Sequence, residues 1–212
     1  VLKSKITLFE CLKRVIKIVS RFLFFMIISI SGTAGSGKST IAQKLASQLN
    51  WPRYYMGGLR REMAAKRGMT LAEYNKLGEV DPETDKEVDI YQKELGEKED
   101  NFIIEGRTSW YFIPHSLKIY LDVEENEGAK RVFSHLQQEN QRNEGISLDN
   151  LEAVKRSNQE RQASDILRYR KYYKIDVYNS KNYDFYLDTT NLSPEESFNR
   201  VYSFIRAHLD KS

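Results

Sequence analysis

The chain has 212 residues, with 33 Lys/Arg against 30 Asp/Glu for a net charge of +3, and 40% of it is hydrophobic. That is enough for one α/β core with a small insertion, and too little for two large domains. The lone cysteine, Cys11, excludes an internal disulfide and a cysteine-rich metal site, so a reducing, cytoplasmic setting is expected.

Residues 1–25 hold six Lys/Arg against Glu10 alone, so this segment carries +5 and the remainder −2. Three readings stand side by side for this basic, roughly amphipathic extension. It is an upstream stretch before a true start at Met26, a membrane-surface helix, or an accessory helix on the core. No stable membrane insertion is expected, because Arg21 interrupts the apolar run well short of the roughly 20 residues a span requires. In the body, basic and acidic residues alternate, which speaks against a nucleic-acid surface. A monomer binding small nucleotides is the expectation.

From Met26 to Ser31 the sequence reads as a short buried strand, followed by a Gly-rich loop and a helix from Gly37 to Leu49. Further strand-like runs are Arg53 to Met56, Phe102 to Glu105, Leu117 to Leu121 and Phe185 to Asp188, separated by helical stretches. Five short strands alternating with helices predict a parallel, doubly wound sheet. Helix starts are marked by Thr70 with Glu73, by Asp81-Pro82-Glu83 and by Ser193-Pro194-Glu195-Glu196. His115, His135 and His208 lie far apart with no metal-ligand spacing and read as ordinary surface or half-buried histidines.

The stretch Gly32-Thr33-Ala34-Gly35-Ser36-Gly37-Lys38-Ser39 matches the phosphate-loop pattern G-x-x-x-x-G-K-[ST], between a buried strand and a helix. Its glycines allow successive N–H groups to turn inward around a phosphate at a helix N-terminus. In such a loop Lys38 bridges the β- and γ-phosphates of ATP, Ser39 ligates Mg²⁺ and Thr40 helps hold the α-phosphate. Glu105, ending its strand, is the candidate acid that orders water around the metal, with a structural carboxylate as the alternative.

A phosphate loop specifies a nucleotide and leaves the reaction open. The N-K-x-D motif of guanine-nucleotide switches is absent, and the strand ending in Glu105 continues into Gly106 rather than into a second acid. Phosphoryl transfer to a small acceptor needs a second anion site and a basic cover. Arg61 and Arg107, each after a strand end, are candidates for the acceptor site, with two solvated arginines as the alternative. For the cover, residues 147–174 form a charge-dense helical stretch in which Arg161, Asp165 and Arg168 fall at i, i+4 and i+7. On that spacing Arg161 and Arg168 reach the phosphates together while Asp165 orients them; a solvated charged face is the alternative.

Over residues 26–206 the chain resembles the nucleoside monophosphate kinases, and most closely the archaeal-type cytidylate kinases. Beyond the phosphate loop, the resemblance is carried by the stretch from Arg61 to Met69, by Asp81-Pro82-Glu83-Thr84-Asp85 and by Glu105-Gly106-Arg107. It continues through Arg161 to Tyr169, Tyr173-Lys174-Ile175-Asp176 and Asp188-Thr189-Thr190. The resemblance implies a P-loop core with a five-stranded parallel sheet, a monophosphate-binding helical segment near 57–99 and a helical lid near 140–176. It also implies acceptor-phosphate binding by Arg61 and Arg107, lid arginines at Arg161 and Arg168, and Arg131 against the donor adenine. The implied reaction is ATP plus CMP or dCMP giving ADP and the diphosphate. The chain departs from the family pattern at Tyr55-Met56-Gly57, where Ser-Ala-Gly is usual, and at Arg60, where an aromatic is usual. Asp81, Asp85 and Trp110 are candidate readers of the base beside Gly57, with capping, solvent-facing or core roles as the alternative. A kinase for another small acceptor and a non-catalytic ATP-binding module remain as alternatives.

Overall fold

A computed structural model describes residues 26–138 and 148–209. The 1–25 extension and the first part of the expected lid lie outside the described residues. One sheet holds β1 (Ile27–Gly32), β2 (Arg53–Tyr55), β3 (Phe102–Glu105), β4 (Leu117–Asp122) and β5 (Phe185–Asp188) in the order β2-β3-β1-β4-β5. Every pairing is parallel.

The first three strands are followed by α1 (Lys38–Leu49), α2 (Met56–Lys66), α3 (Leu71–Gly78), α4 (Glu83–Lys98) and the short α5 (Ser109–Phe112). Then come α6 (Glu125–Gln138), α7 (Leu151–Tyr173) and, after β5, α8 (Pro194–Leu209). The strand boundaries differ from the sequence expectation by a residue or so: β1 runs to Gly32, β4 to Asp122, and Met56 opens α2 instead of closing β2.

β1 is buried at all six positions because helices cover both faces of the sheet. Its alternate side chains feed two cores. Ile28 and Ile30 pack with Ile41 and Leu45 of α1 and with Val201 and Ile205 of α8. Ile27 points the other way, to Phe102, Ile104, Met63 of α2 and Leu95 of α4. Each fully buried isoleucine contributes about 1.5–3 kcal/mol of burial free energy. A third, smaller cluster of Ala129, Val132 and Val154 joins α6 to the base of α7.

Two of the predicted helix starts take the expected chemistry, whereas α4 has Pro82 as its N-cap and no side-chain cap. Thr70 and Glu73 form a reciprocal capping box. Ser193 and Glu196 exchange the same pair of bonds. Asp81 Oδ1 accepts from the Glu83 N–H at the start of α4. α7 begins on Asn150, whose side chain accepts from Ala153 N–H at 2.9 Å.

The strand order puts a topological switch between β1 and β3, whose following connections leave in opposite directions. The register opposes Ile30 to Glu105, and Gly106 N–H donates to Ile30 O at 3.1 Å. The Gly-rich loop after β1 and the Glu105-Gly106-Arg107 turn after β3 therefore share one edge of the sheet.

Candidate active site

Ser36 is buried beneath the loop, and its hydroxyl donates to Thr33 O at 2.9 Å. Gly35 has φ +78, and a Cβ there would lie 2.2 Å from the Gly128 carbonyl oxygen on α6, so only glycine fits. Gly37 caps α1 at φ +84 and leaves the helix N-terminus uncovered by any side chain. Lys38 folds back across the loop, its ammonium donating to Thr33 O and, at 3.4 Å, to Ser36 Oγ.

Ser39 Oγ donates to Glu105 Oε1 at 2.5 Å, and Arg53 Nη2 donates to Glu105 Oε2 at 2.7 Å. This hydroxyl–carboxylate pair at a helix N-terminus is an oxygen-only donor set, the kind a hard divalent cation takes together with water and phosphate oxygens. Among the described residues no cluster of three His, Cys, Asp or Glu could hold a metal alone. The donor set thus fits Mg²⁺ that arrives with a nucleotide.

One cleft of about 810 Å³ runs from this loop to the far side of the sheet edge. Its walls include Lys38, Ser39, Thr40 and Arg131 at one end, and Gly57, Arg61, Arg107, Arg161 and Asp85 at the other. Arg131 is pinned by Glu127 at 2.9 Å and by the Thr189 and Thr190 carbonyls, both at 2.9 Å. Arg61 Nη1 donates to Tyr55 Oη at 2.7 Å and to Gly57 O at 3.1 Å, while the Tyr55 ring packs over Gly57 and Gly58. The Tyr55 departure noted in the sequence is therefore a brace for Arg61.

Arg107 sits in a buried ionic chain. Its Nε donates to Tyr178 Oη at 2.9 Å and lies 2.7 Å from Asp165 Oδ2. Asp165 Oδ1 pairs with Arg168 Nη2 at 2.6 Å, Arg168 Nη1 with Asp85 Oδ1 at 2.5 Å, and that same oxygen with Arg60 Nη1 at 2.5 Å. Burial disfavours the charge on Arg107, but Asp165 overcomes it and holds the guanidinium further toward its cationic form. For Asp165, burial pushes its carboxyl up while Arg107 and Arg168 pull it down, and the pull wins. The chain ties α2, α4, α7 and the end of β3 into one rigid unit.

This geometry sets three of the candidate residues off the cleft wall. Arg168 is 0% exposed and absent from the cleft wall, and its guanidinium is bonded to Asp85 and Asp165, so in this structure it braces the site rather than lining it. Asp81 precedes α4, accepts from the Glu83 N–H and is absent from the cleft wall. Trp110 packs against Tyr111 and Tyr183, also away from the cleft. Asp85 does line the cleft, although both its oxygens are taken by arginine.

Sequence reasoning missed Arg60 as the buried partner of Asp85 and Asn75, missed Tyr178 as a brace for Arg107, and missed Asp89. Asp89 is 7% exposed on the cleft wall, and burial, opposed by a hydrogen bond from Tyr173 and aided by Asp85, pushes its carboxyl up to about 7. The available signal was its position four residues after Asp85, on the same face of α4.

A glycine phosphate cradle facing an arginine-lined anion site across the carboxyl edge of a parallel sheet defines the class: a P-loop kinase, a phosphotransferase. The architecture agrees with solved structures of that class. Shikimate kinase from Bacteroides thetaiotaomicron aligns over 86% of this chain and 99% of its own, with a TM-score of 0.58 at 14% identity. The sequence narrows the class. Residues 27–191 match the model of the cytidylate kinase-like family, and the chain belongs to that family. It is 37% identical over 186 residues to the cytidylate kinase of Pyrococcus furiosus, covering 87% of this chain and 88% of that one. The cytidylate kinase of Natronomonas pharaonis is 35% identical over 185 residues, 86% of this chain and 91% of the relative.

Proposed function

We propose that this chain transfers the γ-phosphoryl group of ATP to CMP or dCMP, giving ADP and the corresponding diphosphate. The observation that carries the reading is the single cleft that joins Lys38 to Arg61, Arg107 and Arg161. Its two ends match two phosphate-bearing ligands in type and sign.

In this reading the loop amides from Gly32 to Thr40 bind the donor phosphates, and Lys38 exchanges the Thr33 carbonyl for β- and γ-oxygens. Arg131, held flat by Thr189 and Thr190, packs against the adenine. Arg61 and Arg107 grip the acceptor phosphate, and both are already oriented by Tyr55, Tyr178 and Asp165 before it binds. That pre-orientation lowers the entropy cost of alignment. An oxygen of the acceptor phosphate forms a bond to the γ-phosphorus while the bond to the ADP oxygen breaks and ADP leaves with the electron pair. A dianionic acceptor has no proton to lose, so positioning and positive charge carry the catalysis. Arg161 lies on the cleft wall where charge accumulates between the two ligands. Ser39, with Glu105 through water, would hold Mg²⁺, which supplies charge neutralisation on the donor phosphates.

The test is a coupled assay of ADP release with CMP, dCMP, UMP, AMP and GMP in turn. Release with CMP or dCMP well above the rate without acceptor supports the reading. ADP release that no nucleoside monophosphate increases refutes it.

A further inference from the structure

We infer that Asp89 reads the hydrogen-bonding edge of the acceptor pyrimidine as a neutral carboxyl, donating one hydrogen bond to the base and accepting another. The inference rests on the monophosphate-kinase reading and deepens it.

Five carboxylates line the cleft. Four have arginine partners: Glu105 with Arg53, Asp85 with Arg60 and Arg168, Glu127 with Arg131, and Asp165 with Arg107 and Arg168. Asp89 forms no ion pair among the described residues. Instead it ends a chain of uncharged groups. Ser109 Oγ donates to Gln92 Oε1 at 2.6 Å, and the Gln92 amide donates to Thr108 Oγ1 at 3.2 Å and to Asp89 Oδ1 at 3.4 Å. The Tyr173 hydroxyl of α7 donates to Asp89 Oδ2. Each carboxyl oxygen has two acceptor directions, so each keeps one for a ligand.

The charged groups around Asp89 favour retention of a proton. Asp85, one turn away on α4, is a like charge. Arg60 from α2 and Arg168 from α7 face the same region, but both are bonded to Asp85, and Arg168 also to Asp165. Tyr173 from α7 is the titratable group in direct contact, and its hydroxyl stays protonated because burial and Asp89 push it above its ordinary value. The carboxyl of Asp89 itself is pushed up to about 7, mainly by burial.

The location suits a base. Arg61, Arg107 and Arg161 supply the anion site, while Met56, Val88 and Tyr169 give the same end of the cleft an apolar wall. Cytosine presents an acceptor at N3 beside a donor at N4. A neutral carboxyl presents a donor beside an acceptor and matches both. Uracil presents the reverse order, which the carboxyl meets by placing its proton on the other oxygen. An ionised carboxylate instead opposes a lone pair of the base in either case. The pairing by itself separates CMP from UMP poorly, and binding takes up a proton once the solution pH exceeds about 7.

The experiment measures Kd for CMP by calorimetry from about pH 7 to about pH 9, a range in which the CMP phosphate, with a pKa near 6, stays dianionic. Wild type is compared with Asp89→Asn and Asp89→Leu. In wild type Kd rises toward tenfold per pH unit at the alkaline end. Asp89→Asn, whose amide is a fixed donor beside an acceptor, loses that slope. Asp89→Leu binds at least about tenfold more weakly at pH 7, since the base then buries unpaired polar groups. The inference is overturned if Asp89→Asn keeps the wild-type slope, if wild type has none, or if a folded Asp89→Leu binds CMP normally. Should the leucine variant not fold, the asparagine slope decides. A wild type that phosphorylates no monophosphate refutes the kinase reading instead, whereas phosphorylation of CMP with a pH-independent Kd refutes only the role of Asp89.

Discussion

Replacing Arg168 with methionine separates a brace from a phosphate ligand. The guanidinium is 0% exposed and links Asp85 to Asp165 at 2.5 and 2.6 Å. Removing one partner of a buried ion pair costs about 3–5 kcal/mol, because the other charge stays buried. Here Asp85 keeps Arg60 at 2.5 Å and Asp165 keeps Arg107 at 2.7 Å, so the lower end applies. A loss of about 3 kcal/mol in a domain of this size lowers Tm by roughly 6–12 °C. Arg168→Lys recovers little of it, since a single ammonium cannot fork to two carboxylates. The assay is thermal unfolding by circular dichroism, run beside steady-state kinetics for CMP. A Tm within about 2 °C of wild type combined with a hundredfold or greater loss of turnover would refute the reasoning, for it would mean that Arg168 acts on the phosphates.

Lys38→Ala is expected to lower kcat by about 10²–10³ with Tm nearly unchanged, as the removal of one charge-stabilising donor does; steady-state assay and thermal unfolding read both. Gly35→Ala is expected to weaken ATP binding at least about tenfold and to destabilise the fold by more than about 1 kcal/mol. Its new Cβ meets backbone atoms of Gly128 at 2.2–2.7 Å, so the loop and α6 must part, and calorimetric titration with ATP checks it. Asp89→Asn is expected to stabilise the fold at alkaline pH. The wild-type carboxyl is raised to about 7, so its ionised form carries a penalty that is absent below its unfolded value. The penalty grows as pH rises through that window and levels off above about 7, at no more than on the order of 4 kcal/mol. Urea titrations of both proteins at about pH 5 and about pH 8 should show the variant's advantage at the higher pH.

The phosphate loop was legible because all its determinants lie within eight consecutive residues, and the strand ending in Glu105 because a three-residue apolar run buried on both faces has few other uses. Helix starts were legible for the same local reason: the Thr70–Glu73 box closes over three residues. The fine sorting of charged groups was not legible. Arg161 and Arg168 share a helix face by spacing, yet Asp85, distant in the sequence, fixes Arg168 behind the cleft wall while Arg161 stays on it. Asp81 and Asp89 flank Asp85 at equal distances in the sequence. One precedes the helix and accepts from the Glu83 N–H; the other accepts from the Tyr173 hydroxyl of α7. Arg60 read as an odd substitution until Asn75 and Asp85 closed around it.

The central claim is that a donor and an acceptor lie end to end in one continuous cleft. A single molecule carrying adenosine and cytidine at the two ends of a five-phosphate chain tests it most directly, because occupying both sites at once makes the second binding step intramolecular. Titrated by calorimetry with Mg²⁺, it should bind at least about a hundredfold more tightly than ATP or CMP alone, and most of that gain should vanish in Arg61→Ala/Arg107→Ala. Affinity no greater than that of ATP, or a gain indifferent to both arginines, would contradict the claim.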